Sequence, residues 1–119
     1  MSAGLQDFIN QEGCVSPDAL MDELNISKDE LAQAIGLVYS ERTRENCLYM
    51  ALAQQRLFQV VTILTSIEPW AGSMSAGWSW FRHYPIAPLG GVTAENLVAQ
   101  GRGDAVKAYL SHIEQGGFA

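Results

Sequence analysis

The sequence predicts an all-α fold, a small helical domain, and three observations lead to this class. Apolar residues recur at helical spacing in most segments, and we find no convincing strand pattern. Ser or Thr residues, which favour helix N-caps, precede several of these segments. The chain has 119 residues, 48% of them hydrophobic and 17% charged, which is the composition and size of one globular domain.

The first part of the chain predicts an arm followed by a helix-turn-helix-like region. Residues 1–15 are expected to be an N-terminal arm that frays. Residues 16–50 carry two capped helices joined by a short link, and a third short helix is expected around residues 40–46, in the recognition position. Ser16 is expected to be the N-cap of the first helix, with Pro17 in its first turn, and Asn25 ends it. Ser27 and Glu30 form a predicted capping box at the start of the second helix, and Gly36 ends that helix.

A long helix is predicted from Cys47 to Ile67, and Arg56 is its one charged residue. Phe58 and Ile63 lie off its main apolar face, which widens the apolar arc. Such a helix is deeply buried or partly an interface, so we expect a homodimer with a twofold contact. The apolar face consists of Leu57, Val60, Val61, Leu64 and Ile67, and the residues expected to end the helix are Pro69 and Gly72.

Three shorter elements follow. An aromatic helix around Trp78 and Phe81 ends at Pro85, and an irregular link leads from it to the next helix. Thr93 caps that helix. The last helix opens at Asp104 and has an apolar face of Val106, Tyr109, Leu110 and Ile113, with Gly116 as the residue after its end.

The turn before Thr93 contains Gly90 and Gly91, and two interpretations remain open. The pair could form an anion-binding nest at the helix start, with Arg82 or Arg102 as the nearest cation. It could instead be a structural turn that needs positive φ, which we favour.

Other candidate sites are weak. His83 and His112 have no partner at metal-ligand spacing, so we expect no metal, cofactor or catalytic site. The aromatic residues favour a core over a base-stacking platform. The two cysteines, Cys14 and Cys47, are expected to be reduced thiols. No signal peptide or membrane-spanning run is recognisable, so we expect a cytoplasmic protein that does not associate with membranes.

Basic residues at the predicted recognition position suggest DNA contact. Arg42 and Arg44 lie there and Lys28 is nearby, while Glu41 and Glu45 offset their charge. The net charge of −6 argues against strong non-specific binding to nucleic acid, because phosphate contacts dominate that affinity.

The last third of the chain, WSWFRHYPIAPLGGVTAENLVAQGRGDAVKAYLSHIEQGGFA, resembles the toxin-binding domain of Xre/MbcA/ParS-type antitoxins of bacterial type II toxin–antitoxin systems. The shared pattern is a Trp-led helix, a proline link, an LGG turn, a Thr-capped helix, a glycine turn and a last amphipathic helix with a small-residue and aromatic tail. The residues that carry it are Trp78, Trp80, Pro85, Leu89, Gly90, Gly91, Thr93, Glu95, Leu97, Gly101, Val106, Leu110, Ile113, Gly117 and Phe118.

This resemblance implies that residues 16–50 are an Xre-like region and residues 51–119 a helical toxin-binding domain. Proteins of this kind neutralise a partner toxin, commonly a RES-type enzyme that consumes NAD, by covering its active site; many repress their own operon. The toxin contacts are then expected at Lys107, Ser111 and Glu114 and at the tail formed by Gly116, Gly117, Phe118 and Ala119. Phe118 either plugs the partner or folds back onto Tyr109 or Ile113.

Two rival functions remain. One is a stand-alone DNA-binding transcriptional regulator that uses the N-terminal helices, and the other is a small enzyme or ligand-binding domain.

Overall fold

Residues 4–114 are described in a computed structural model, and they form an all-α fold. Seven α-helices follow each other along this part of the chain: α1 Pro17–Leu24, α2 Lys28–Ala34, α3 Tyr39–Arg42, α4 Ala51–Ala71, α5 Met74–His83, α6 Ala94–Ala99 and α7 Gly103–Glu114. Three short 3₁₀ helices accompany them, at Leu5–Phe8, Cys47–Tyr49 and Ala87–Leu89. Within residues 4–114 there is no strand, which confirms the all-α prediction. No helix among these residues has the length and apolar character to cross a membrane.

The helix starts follow the predicted caps. The hydroxyl oxygen of Ser16 accepts a hydrogen bond from the Ala19 N–H at 3.2 Å, and that of Ser27 accepts one from the Glu30 N–H at 3.1 Å. These bonds satisfy backbone donors that the first helical turn leaves without partners. The Glu30 carboxylate, however, does not return to the cap as a capping box requires; it contacts Arg82 on α5 instead.

Residues 4–15, the described part of the predicted N-terminal arm, pack against the rest of the molecule. Phe8 and Val15 are buried, and the backbone forms an isolated bridge between Ile9 and Val15. The Gln54 side chain on α4 accepts a hydrogen bond from the Val15 N–H at 2.7 Å and donates one to the Val15 carbonyl at 3.0 Å. Residues 5–15 therefore pack on α4, because an apolar pair and a matching amide hold them there.

Helix α4 is the centre of the molecule. It starts at Ala51, later than the predicted Cys47, because residues 47–49 form a 3₁₀ turn and Met50 has extended backbone angles. It continues through Pro69 to Ala71 and ends at Gly72. Ile63 is fully buried and so belongs to the apolar face, contrary to the prediction, whereas Phe58 is 44% exposed.

One continuous core joins both predicted regions of the chain. Its members from the helix-turn-helix-like region pack with α4 and with residues of the last three helices. Helix α4 contacts α5, α6 and α7, and α5 also contacts α1. The largest fully buried side chains include Val15, Leu20, Leu31, Ile35, Leu57, Val60, Ile63, Leu64, Ile67, Phe81, Ile86 and Leu97.

The third predicted helix is only one turn long. Helix α3 covers Tyr39–Arg42, and turns occupy residues 43–46, where the sequence predicted further helix. The backbone closes this turn locally, since the Thr43 N–H bonds the Tyr39 carbonyl and the Arg44 N–H bonds the Glu41 carbonyl. The predicted recognition position therefore holds the single helical turn Tyr39–Arg42 followed by turns, in place of a short helix over residues 40–46.

Candidate binding surface around the last helix

Helix α7 is amphipathic, and its outer face carries three of the predicted contact residues. Lys107, Ser111 and Glu114 are spaced by four and three residues, so they form one row along the helix. Ser111 and Glu114 are exposed and Lys107 is half-buried, while the inner face buries Val106 and Leu110. The predicted tail residues Gly116, Gly117, Phe118 and Ala119 lie outside the described residues.

Beside α7 lies a groove lined almost entirely by aromatic and apolar surface, which we call the aromatic groove. Its volume is about 380 Å³, and it opens between the ends of α4, α5 and α7. Trp70 and Trp80 meet edge to face with ring centroids 6.0 Å apart, and Trp80 stacks on Tyr84 at 5.4 Å. Both arrangements are favourable for aromatic pairs. The lining residues are Trp70, Trp80, Tyr84, Tyr109 and Ile113.

The groove keeps its aromatic surface partly open to solvent. Trp70 is 53% exposed and Tyr84 is 42% exposed, whereas Tyr109 is buried. Burial raises the pKa of the Tyr109 hydroxyl above its usual value, and the nearby Tyr84 raises it further. Tyr109 therefore stays neutral at physiological pH, and the groove presents an apolar surface of the kind found at the centre of protein interfaces.

A second cavity, of about 490 Å³, lies on the other side of Tyr109. It is bounded by the link before α6 and by the side of α7 that carries His112. Tyr109 thus separates two apolar depressions that flank α7. The lining residues are Pro88, Leu89, Ala105, Ala108, Tyr109 and His112.

The glycine turn sets the path from α5 to α6. Gly90 and Gly91 have φ of +90° and +77°, which confirms the predicted positive-φ turn. The turn is closed by hydrogen bonds between Ile86 and Val92 (2.9 Å) and from the Gly91 N–H to the Ile86 carbonyl (2.9 Å). Thr93 then caps α6 by accepting a hydrogen bond from the Asn96 N–H at 3.1 Å.

Arg82, a candidate cation for an anion site at this turn, is engaged elsewhere. Its guanidinium contacts the Glu30 carboxylate at 2.8 Å and the Glu95 carboxylate at 2.6 Å. It also lies 5.8 Å from the centre of the Trp78 ring, whose indole N–H points at Glu30 at 3.4 Å. Arg82 therefore joins α2, α5 and α6, and this favours the structural interpretation of the turn over the anion nest.

The three predicted DNA-contacting residues lie near one another in the fold, but their side chains are not equally exposed to solvent. Lys28 donates to the carbonyl oxygens of Arg44 and Glu45 at 3.4 and 3.1 Å, which brings the start of α2 to the turn after α3. Arg42 is half-buried, and its guanidinium lies 5.9 Å from the centre of the Tyr39 ring. Arg44 is exposed.

The charge of the molecule is strongly divided along the sequence. Residues 1–50 contain nine acidic and three basic residues and so carry the whole net charge of −6, whereas residues 51–119 contain four of each. The region predicted to contact DNA is therefore the acidic one, and its field repels phosphate.

The remaining candidate residues, the two histidines and the two cysteines, do not form a common site in the described part of the chain. His83 and His112 are both exposed and lie on different helices, and the described residues contain no group of three or more His, Cys, Asp or Glu side chains placed to hold a metal ion. Cys14 and Cys47 are free thiols.

Two features of this surface did not follow from the sequence. The aromatic residues were expected in the core, and Trp78 and Phe81 are indeed buried there, but Trp70, Trp80 and Tyr84 form the groove. The i, i+4 spacing of Trp80 and Tyr84 is the one signal that could have indicated a shared face. The contact between Glu30 and Arg82 joins residues 52 positions apart, and no local pattern predicts it.

Comparison with known proteins adds no family: the chain matches no protein-family model, no curated protein and no solved structure.

Proposed function

We propose that this chain is the antitoxin of a type II toxin–antitoxin system, acting in the cytoplasm, and that it inhibits a partner toxin by covering the toxin's active site. The observation that carries the proposal is the combination of polar and aromatic surface on and around α7. Helix α7 carries the exposed polar row on one side and lines the open aromatic groove on another, so the C-terminal end of the described chain offers both polar contacts and an aromatic anchor surface. The resemblance of the last third of the chain supports the same function.

The surroundings of α7 support a binding role over a catalytic one. The groove is lined by apolar and aromatic side chains, and α7 packs on α4 and α6. Helix α6 is in turn joined to α2 and α5 through Arg82. A rigid support of this kind preserves the angle at which a helix meets a partner, which lowers the entropy lost on binding. In this proposal the chemistry belongs to the partner, a RES-type enzyme that consumes NAD.

The test is co-purification of the chain with the product of the adjacent gene, followed by rescue of cell growth from that product. Ser111→Arg places a bulky cation in the exposed row of α7 and is expected to abolish both. Gln33→Arg, at an exposed position on α2, is the matched control and should leave both intact. Equal behaviour of the two variants would contradict the assignment of the α7 face.

A homodimer is part of the proposal, and the outer face of α4 supports it. Leu52 and Phe58 on this face are 43% and 44% exposed. Their neighbours on the same face, Gln55, Thr62 and Ser66, carry no charge. Twofold contacts between such faces are the commonest way to cover them. Light scattering should show a dimer at tens of micromolar, roughly, and Phe58→Lys should shift it to monomer; an unaltered mass in this variant would place the contact elsewhere.

The alternative function is a stand-alone DNA-binding regulator, and exposed Arg44 is the observation that favours it. If Arg42 and Arg44 contact operator phosphates, each should contribute about 0.9 to the slope of log affinity against log salt concentration. Gel shifts with the chain's own promoter, without a partner, decide the matter. A shift that persists unchanged in the Arg42→Ala, Arg44→Ala double variant would show that these residues do not carry DNA binding.

A further inference from the structure

We propose that the aromatic groove is a binding site for a small quaternary ammonium ion, a cation whose nitrogen carries four carbon substituents and no hydrogen. Four of the five described residues that line the groove are aromatic, and the fifth is Ile113. The faces of aromatic rings carry partial negative charge and attract cations. The proposal concerns the isolated chain; its consequence, competition between the ion and a partner toxin for the same groove, rests on the proposed function.

The rings are arranged so that a rounded cation can contact more than one of them. The planes of Trp70 and Trp80 meet at 89° with ring centroids 6.0 Å apart, and Tyr84 lies nearly parallel to Trp80, at 16°. The groove therefore has aromatic surface in two directions that are close to perpendicular. A cation is attracted by each ring whose centroid lies within about 6 Å of it, so an ion held in this corner interacts with two or more rings.

The chemistry of the lining selects against ions that carry N–H groups. Among the described residues the lining contains no carboxylate and no side-chain amide; its side-chain polar atoms are two indole N–H groups and two tyrosine hydroxyls. A primary ammonium has three N–H donors and a guanidinium has five, and a donor that is buried without a partner loses its bonds to water without replacement. A quaternary ammonium has no such donor, and its methyl groups gain from burial against apolar surface.

The charge around the groove favours a cation from outside the chain. None of the described lining residues is basic. Arg82, two residues after Trp80, forms ion pairs with carboxylates of α2 and α6 at 2.8 and 2.6 Å and is not among the described lining residues. The whole chain carries a net charge of −6, so its overall field attracts a cation and repels an anion.

The size and exposure of the groove suit a small soluble ion. Its volume of about 380 Å³ lies near the lower end of the range for small-molecule sites, about 300–1,000 Å³. Trp70 and Tyr84 are 53% and 42% exposed, so an ion can enter without displacing packed side chains. Because the groove is open on one side, only part of the ion loses its contact with water, and we expect a dissociation constant on the order of millimolar.

Choline is the probe, and the indole N–H resonances of the three tryptophans in ¹H–¹⁵N spectra report where it binds. Titration of choline chloride into the isolated chain, compared with sodium chloride at equal concentration, should shift the Trp70 and Trp80 signals saturably. Trp78 is not among the described lining residues, and its indole N–H points at Glu30. Its signal should therefore stay in place, as the reference for an unchanged fold.

Two analogues of choline test the chemistry of the site. The uncharged analogue, in which carbon replaces the quaternary nitrogen, has the same shape and no charge, so it should bind about threefold more weakly or worse. Ethanolamine, the primary ammonium analogue, keeps the charge and adds N–H donors, and it should also bind about threefold more weakly or worse.

Variants test the place of binding. Trp70→Leu removes one ring and keeps an apolar helix-forming residue, so half-saturation of the Trp80 shift should need about threefold more choline or above. Tyr84→Leu removes a second ring and should have the same effect, so the test does not depend on one variant. Tyr49→Leu is the matched control, because it removes a ring of similar exposure (49%) that is not among the described lining residues, and it should leave the affinity unchanged.

Several results would overturn the proposal. The absence of a saturable shift, or equal affinity in the groove variants and in Tyr49→Leu, would show that the groove does not bind the ion. Equal binding of choline and its uncharged analogue would show that the groove selects apolar shape and not charge, and equal binding of ethanolamine would show that N–H donors are tolerated.

The source of the ion is tested separately. Binding of the chain to phosphatidylcholine vesicles without binding to free choline would assign the surface to a lipid headgroup and overturn the proposal of a soluble ion. None of these measurements needs a toxin, so failure to find a toxin partner would leave choline binding standing, and failure to bind choline would leave the proposed function standing.

Discussion

Gly36, just after α2, lies against the end of α6, and its replacement should reveal how closely these two elements approach. Its φ is +82°, and a methyl group placed on its α-carbon would lie 2.7 Å from the Ala99 Cβ and 3.0 Å from the Ala99 Cα. Gly90 offers a matched position, since its φ is +90° and a methyl group there would meet no atom within 4 Å. The first substitution tests backbone strain and contact together, and the second tests strain alone.

The expected magnitudes differ for this reason. An L-residue with positive φ costs about 1–2 kcal/mol, so Gly90→Ala should lower the free energy of unfolding by that amount. Gly36→Ala should cost the same strain and, in addition, about 1–3 kcal/mol for forcing an extra methyl group into a packed contact. Part of that contact is the Ala99 backbone, which cannot swing aside as a flexible side chain does.

Urea unfolding of the two variants and of the parent chain measures the difference directly, provided that the dependence of the free energy on urea concentration is unchanged. We expect the midpoint to fall further for Gly36→Ala than for Gly90→Ala. If Gly90→Ala matches the parent, its positive φ is not required, and if the two variants lose equal stability, the close approach of α2 and α6 does not exist in solution. Under the proposed function, Gly90→Ala should also weaken toxin neutralisation in step with its loss of stability.

Two further predictions follow from side chains around the site. Arg82→Met should lower the free energy of unfolding by about 1–3 kcal/mol, because the variant loses two charge-assisted contacts with partly exposed carboxylates. The control, Arg102→Met at an exposed position, should change the free energy of unfolding by about 0.5 kcal/mol or less. Equal urea midpoints for these two variants would contradict the role of Arg82 as a link. Because the pKa of Tyr109 is raised in the folded chain, stability should fall as pH rises above about 10, where the unfolded tyrosine ionises first. In Tyr109→Phe that part of the slope should vanish, and an unchanged pH profile would refute the assigned shift.

Local sequence patterns predicted most helix starts correctly, but they did not predict the tertiary contacts of those helices. Ser16, Ser27 and Thr93 begin helices as predicted, because a capping hydroxyl acts within three residues of itself. The start of α4 was wrong by four residues, since the 3₁₀ turn that replaces its first part buries Cys47 and Leu48 in the core. That burial is a tertiary effect, and helical periodicity alone does not report it.

In the candidate site, too, local features could be predicted from the sequence and tertiary features could not. The positive φ at Gly90 and Gly91 was predictable, because a glycine pair before a capped helix is a local signal. The aromatic groove was not, because it forms only where the ends of α4, α5 and α7 meet. An aromatic side chain in the sequence looks the same whether its neighbours in space enclose it or leave it half open.

The continuous core around α4 has a consequence for how the chain can be divided. Helices α1 and α2 cover parts of α5 and α6, and Arg82 lies between Glu30 and Glu95 from the two halves. A fragment that begins at residue 51 would therefore expose apolar surface on α4 and α5 and leave Arg82 with only one carboxylate. Because the two regions named from the sequence share one core, we expect them to unfold together, with amide protons of α1 and α7 exchanging with solvent through the same global opening. A protease that cuts within residues 4–50 would remove packing partners of α5 and α6, so we expect the lifetime of the C-terminal helices to depend on the N-terminal ones.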